Sequence, residues 1–234
     1  MSMNNYLRIE DLVNNPTPSV PICLCLDTSG SITAVGEDGY TRIEKLQQGI
    51  QQFYQAIKAD EMAVYSAEIS VVTFDDDAKC LLDFANIERQ EDIPALEACG
   101  LTAMGEGVNM ALDLLEQRKQ EYKEKGVDYY QPWLVVMADG IANGSPEALE
   151  RAINRTRTMV NNKKLTIFPI GIGNESDMGT LNRFSPNRAA LKLQGLKFQE
   201  FFAWLSQSVS RTSQSTPGEK VKLDVEGLKG WAEL

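Results

Sequence analysis

A chain of 234 residues, 43% of them hydrophobic, holds enough apolar side chain for one large α/β domain, or two small ones, and too much for a disordered polymer. Its formal net charge of −10, from 23 Lys and Arg against 33 Asp and Glu, argues against nucleic acid as a partner and suits a cation or a basic protein surface. With 0 histidines, a Ser-His-Asp triad, a Cys-His pair and any His-containing zinc or iron site are excluded.

Residues 1–18 read as a polar lead-in closed by Pro16 and Pro18. They lack the basic flank and apolar core of a signal peptide, and no apolar run reaches the length of a membrane span, so a soluble, cytoplasmic protein is expected. Val20–Leu26 is a continuous apolar run, the pattern of a strand covered on both faces. Thr41–Ala59 repeats Ile43, Leu46, Ile50, Phe53, Tyr54 and Ile57 at helical spacing. Ala67–Phe74 and Ala78–Phe84 read as strands joined by a solvated acidic turn, Asp75–Asp77. A short helix is expected at Glu91–Ala98 and a long one at Met104–Lys123.

Trp133–Ala138 is a fourth strand, and Pro146–Asn161 a helix with Ser145 as its cap. Leu165–Ile172 is a fifth strand in which Pro169 removes a ladder donor and weakens the expectation for the later half. Asp177–Phe184 is a short helix, Ala189–Leu193 an edge strand and Phe198–Val209 the last helix. Residues 211–234 change composition and carry only a few apolar anchors, among them Val221, Leu223, Val225, Leu228 and Trp231; they read as a tail, either packed on the domain or docking on another protein. Strands alternating with helices define an α/β fold, a doubly wound, mostly parallel sheet with helices on both faces, over residues 19–210. Cysteines 23, 25, 80 and 99 fit no zinc spacing and read as small buried side chains in a reducing compartment.

The chemistry concentrates where strands stop. "LCLDTSGSI" ends an apolar strand in Asp27 and then sets hydroxyls at Ser29 and Ser31; "VVMADG" ends another in Asp139; "GLTAMGEGV" places Thr102 just before a helix. In a parallel sheet such ends gather at one edge, near the switch in strand order. Two carboxylates and three hydroxyls form an oxygen-only donor set, which suits a hard divalent ion: Mg2+, or alternatively Mn2+ or Ca2+. Few carboxylates leave the ion residual positive charge with which to take a carboxylate from outside. Taken singly, Ser29 and Ser31 equally well cap a turn, Glu106 suits a helix N-terminus, and Glu37 and Asp38 suit an exposed loop.

Asp27-Thr28-Ser29-Gly30-Ser31 resembles the D-x-S-x-S signature of von Willebrand factor A domains, Thr102 stands at the threonine of the family's G-G-T segment, and Asp139 at the aspartate of its T-D-G strand end. The resemblance implies a Rossmann-like fold, a metal-ion-dependent adhesion site made by Asp27, Ser29, Ser31, Thr102 and Asp139, and a non-catalytic role in binding a protein partner that supplies an acidic residue. It departs at Leu101, in place of a glycine, and at Ala138, in place of a threonine, which implies a stiffer loop and a more loosely held Asp139. The "GxTAxGEG" pattern and the tail "PGEKVKL…GWAEL" further resemble the bacterial TerY-like tellurium-resistance branch, which implies a stress-response setting with kinase-like and phosphatase neighbours. The competing expectation is a Mg2+-dependent phosphohydrolase or phosphotransfer enzyme using Asp27. Against it stand the missing second acid two residues on, where Ser29 lies, the absence of histidine and the absence of a Walker A sequence.

Overall fold

The structure, a computed structural model, describes residues 17–36, 39–90, 93–173, 176–193, 197–218 and 232–233. Its strands are β1 (Val20–Asp27), β2 (Ala67–Phe74), β3 (Ala78–Asn86), β4 (Trp133–Ala138), β5 (Thr166–Ile172), β6 (Leu191–Leu193) and β7 (Ala232–Glu233). Its α-helices are α1 (Arg42–Lys58), α2 (Ala63–Ser66), α3 (Met104–Lys125), α4 (Pro146–Asn161), α5 (Met178–Phe184) and α6 (Phe198–Ser213). They build one sheet in the order β3-β2-β1-β4-β5-β6-β7. β2, β1, β4, β5 and β6 are parallel, while β3 and β7 pair antiparallel at the two ends. The chain winds outward from β1 to β3, then returns to the other side of β1 as β4. The switch point therefore falls between β1 and β4.

The period of two along each strand sorts side chains into two cores. Ile22, Leu24 and Leu26 of β1 pack with Val135 and Met137 of β4 beneath α1 and α6, whose Phe53, Phe198, Phe201 and Phe202 fill that layer. Cys23, Cys25, Val72, Leu134 and Val136 face the other way, against Val108, Leu112 and Leu115 of α3, Ala152 and Ile153 of α4, and Leu181 of α5. This is the doubly wound arrangement that alternation of elements implied. Thr41 closes a full capping box with Glu44 at the start of α1, and the Ser145 hydroxyl accepts the Ala148 N–H at the start of α4.

The start of α3 carries two glycines for a steric reason. A Cβ on Gly105 would stand 2.4 Å from the backbone nitrogen of Leu149, and one on Gly107 2.6 Å from the Phe74 ring. Only bare backbone lets the helix press this closely on α4 and β2, and that depth sets the position of Thr102 just ahead of it.

Several local expectations are corrected. Residues 93–98 run without regular structure, so the helix expected at Glu91–Ala98 is not formed there. β6 is not an edge strand, because Ala232–Glu233 pairs outside it. The same pairing returns that end of the tail to the domain's own sheet, while Val221, Leu223, Val225, Leu228 and Trp231 lie outside the described residues, as do Glu37 and Asp38. α6 continues to Ser213, past the expected end at Val209. Pro169 does not interrupt β5, since the β6 ladder begins only at Ile170 and no bond is missing on that side. Asp75 is not solvated but 4% exposed: its carboxylate accepts from Lys79 and from the Asp77 N–H, and its carbonyl from Ala103. Cys23 and Cys25 are buried as expected, but Cys80 and Cys99 are exposed, and none of the four is in a disulfide. Among the described residues no helix is long and apolar enough to cross a membrane.

At the opposite edge of the sheet, Glu68 of β2 is buried among polar partners. It accepts from Arg118 Nε at 2.7 Å, from Ser19 at 3.1 Å and from the Tyr122 hydroxyl. Arg118 is 0% exposed and also bonds Glu121. Strand periodicity did not reveal this cluster, because its members lie about 50 residues apart in sequence.

Candidate metal centre

All five candidate ligands stand at the carboxyl edge of the sheet, around the switch point. β1 delivers Asp27 as its last residue, and the chain then turns through Ser29 into a 3-10 segment, Gly30–Thr33, that carries Ser31. β4 ends at Ala138, so Asp139 is the first residue beyond it. Thr102 precedes α3. Asp27, Ser29, Thr102 and Asp139 are all buried.

The three loops are tied to one another pairwise. Gly30 N–H donates to the Gly100 carbonyl at 3.0 Å and Cys99 N–H to the Thr28 carbonyl at 2.9 Å, which joins the first loop to the second. Asn143 brackets Thr102 on both sides: its Oδ1 accepts the Thr102 N–H at 2.6 Å and its own N–H donates to the Thr102 carbonyl at 3.1 Å. The first and third loops meet directly, since Ser31 Oγ donates to Asp139 Oδ1 at 2.6 Å and Asp139 N–H to Asp27 Oδ2 at 3.3 Å. Ser29 and Ser31 share a hydroxyl contact at 2.9 Å, and Ser29 N–H donates to Asp27 Oδ1 at 2.9 Å. A Cβ on Gly140 would lie 3.9 Å from Ser31 Oγ and 4.0 Å from Thr102 Oγ1, so both hydroxyls look onto one small centre.

Burial, with the nearby Asp139 carboxylate adding to it, pushes the Asp27 carboxyl up from 3.8 to about 6, against the hydrogen bonds from Ser29 that pull it down. Two carboxylates held this close, one lacking any exposure, form a site whose electrostatics are relieved by a cation. The donor set is all oxygen, with hydroxyls outnumbering carboxylates. Among the described residues no three of His, Cys, Asp and Glu gather at one point, so hydroxyls make up the larger part of this donor set. The residues present fit a hard divalent ion and not a soft one.

Two residues that local sequence patterns did not single out belong to this edge. Asn143 is one. Arg42 is the other: its Nη1 donates to Asp139 Oδ2 at 2.7 Å, across 97 residues of sequence. Its local signal is weak: an arginine in the first turn of a helix opposes the helix dipole. With Ser31 on one oxygen and Arg42 on the other, Asp139 is firmly oriented despite Ala138. The looser hold implied by that departure is not seen. Leu101 is 58% exposed, its N–H bonded to Asp76 Oδ1 at 2.9 Å. Glu106 accepts the Ser145 N–H at 2.9 Å and so fastens the β4–α4 loop to the start of α3.

A mostly parallel, doubly wound sheet with carboxylates and hydroxyls gathered at the β1/β4 switch point defines a Rossmann-like α/β domain. The family model of the von Willebrand factor type A domain matches residues 22–201, and the chain belongs to that family. No curated protein matches the chain. Among solved structures it is similar to the PilB minor pilin from Streptococcus sanguinis, with 12% identity and a TM-score of 0.63 over 86% of this chain and 64% of that one. It also resembles a von Willebrand factor type A protein from Catenulispora acidiphila, with 16% identity and a TM-score of 0.60 over 83% of this chain and 43% of that one. A third similar structure is proximal thread matrix protein 1 from the mussel byssus, described with a zinc-occupied MIDAS motif. It shares 16% identity, with a TM-score of 0.55 over 83% of this chain and 48% of that one. The chain thus spans less than two thirds of each of these proteins, and at such identities the likeness establishes the fold.

Proposed function

We propose that the protein is a non-catalytic binding module in which Asp27, Ser29, Ser31, Thr102 and Asp139 hold a divalent cation, Mg2+ in the first instance, at the carboxyl edge of the sheet. The observation that carries this reading is the pairwise closure of three loops around hydroxyls of Ser31 and Thr102 and the carboxylates of Asp27 and Asp139. When bound, the cation supplies a point of positive charge for a carboxylate presented by a partner protein. The chain's own residues supply the rest: Asp27 and Asp139 furnish the anionic floor, the serines and Thr102 furnish neutral oxygens, and Asn143 keeps the Thr102 loop in register.

The rim indicates the kind of partner. Val35, Tyr40, Leu101 and Ile141 are 64%, 48%, 58% and 68% exposed, and all lie in the loops that carry or flank the cage. An apolar collar around a cation seat suits an Asp or Glu flanked by apolar side chains; an acidic tract would meet repulsion from a chain of net charge −10. The enzymatic alternative is less well supported, since both carboxylate oxygens of the fully buried Asp27 are engaged by backbone N–H groups and none is presented as a nucleophile. The tellurium-resistance setting rests on the "GxTAxGEG" and tail resemblance alone and is carried forward as part of this proposal.

Affinity capture with the purified protein tests the reading. Partners recovered in Mg2+ are expected to disappear in EDTA and with Asp27→Ala. Recovery of the same partners under all three conditions would refute a metal-dependent grip.

A further inference from the structure

We infer that Arg42 is a built-in counter-cation of the cage, pairing with Asp139 and thereby weakening the site's hold on a divalent ion. The inference rests on the cation seat proposed above and concerns its regulation. Arg42 is the first residue of α1, directly after the Thr41 cap, where the helix dipole disfavours positive charge and where Glu44 already satisfies the cap. Its location is thus unexplained by the helix and is explained by Asp139. Nη1 stands 2.7 Å from Oδ2 of a side chain that is 0% exposed, while the arginine side chain itself is 18% exposed. The arginine side chain reaches solvent in part, whereas the carboxylate does not.

The arm also has a prepared bed. Nη2 lies 3.2 Å from where a Cβ on Gly173 would be, and Gly173, at φ +74°, is a position that favours glycine. The guanidinium thus lies across the ends of β4 and β5, against the cage. Its charge reduces the cage from two net negative charges to one. With Ser31 on Oδ1, it also leaves Asp139 with both oxygens already engaged. A divalent ion must enter against a neighbouring positive charge and in exchange for an ion pair. The cost is a weak affinity, matched to an ion as abundant as Mg2+ and poorly suited to scavenging trace metal.

The test is a calorimetric titration with Mn2+ as the probe, on the full chain and on Arg42→Gln, Arg42→Lys and Asp27→Asn. Arg42→Gln is expected to bind Mn2+ at least about tenfold more tightly than the parent, because a like charge next to the ion is removed. Arg42→Lys should stay near the parent, and Asp27→Asn should give no binding heat. Equal or weaker binding by Arg42→Gln, with Asp27→Asn still silent, overturns the role of Arg42 and leaves the cation seat standing. No binding by the parent and by Arg42→Gln alike overturns the seat and, with it, the inference. A second readout needs no substitution at the site: the Arg42 side-chain NMR signal of the parent protein, protected by its ion pair, should lose that protection as Mg2+ is added. A signal unchanged at saturating Mg2+ overturns the inference.

Discussion

A cage made to hold a cation should cost the metal-free protein stability, and Asp27→Asn measures that cost. The Asp27 carboxyl is pushed from 3.8 to about 6, chiefly by burial. At about 1.36 kcal/mol per pH unit, that gap corresponds to about 3 kcal/mol against keeping Asp27 ionised in the fold. The sign follows from linkage. Above about pH 6 the group is ionised in both folded and unfolded chains and the penalty is fully present. As pH falls from about 6 toward 3.8 the folded chain takes up the proton first, so the penalty is relieved and this group's contribution makes the fold more stable.

Asparagine removes the charge but keeps only one acceptor oxygen. One of the two backbone bonds, from Ser29 or Asp139, is then lost at about 1 kcal/mol. The net gain at pH 8 in EDTA is about 2 kcal/mol, or about 4–8 °C in Tm for a domain of this size. Thermal melts in EDTA and in Mg2+ provide the assay. The parent should melt below Asp27→Asn in EDTA and rise with Mg2+, while the variant should not respond to Mg2+. An Asp27→Asn protein that melts below the parent at pH 8 in EDTA would refute the electrostatic reasoning.

Three further outcomes follow from the packing. Arg118→Met leaves the buried Glu68 carboxyl without its guanidinium, at a cost of about 3–5 kcal/mol; the double variant with Glu68→Gln should recover much of this in urea melts. Gly105→Ala drives a methyl to 2.4 Å of the Leu149 backbone, so it should cost about 1–3 kcal/mol despite alanine's better helix propensity, and Mn2+ affinity should fall as Thr102 shifts. Thiol titration with a bulky disulfide reagent should modify Cys80 and Cys99 in the native protein, and Cys23 and Cys25 only on unfolding.

What the sequence revealed about the fold was what local chemistry carries. β2, β4 and α4 stand between the expected residues, because an apolar run between polar turns, or a Ser-Pro start, is a signal contained in one segment. The gathering of Asp27, Ser29, Ser31, Thr102 and Asp139 was legible for a related reason. Each sits where an apolar strand stops or a helix begins, and a parallel sheet brings those places together.

What escaped notice depends on partners far apart in the chain. Arg42 finds its partner, Asp139, 97 residues further along the chain. Asp75 looked solvated because its own turn is acidic, yet Ala103 and Cys99 from the neighbouring loop close over it. Residues 93–98 have helical composition, but their backbone is drawn across the surface: the Gln47 side chain accepts the Leu96 N–H and donates to the Pro94 carbonyl. Pairing of Ala232–Glu233 with β6 has no local signature at all, since two residues cannot display a strand period.

The most direct test is anomalous X-ray diffraction from crystals of the protein soaked in Mn2+. The account predicts a single strong peak at the β1/β4 edge, within coordination distance of side-chain oxygens from Ser29, Ser31, Thr102, Asp27 or Asp139. A fully soaked crystal with no peak there would contradict it, and so would a peak bound only to surface carboxylates elsewhere.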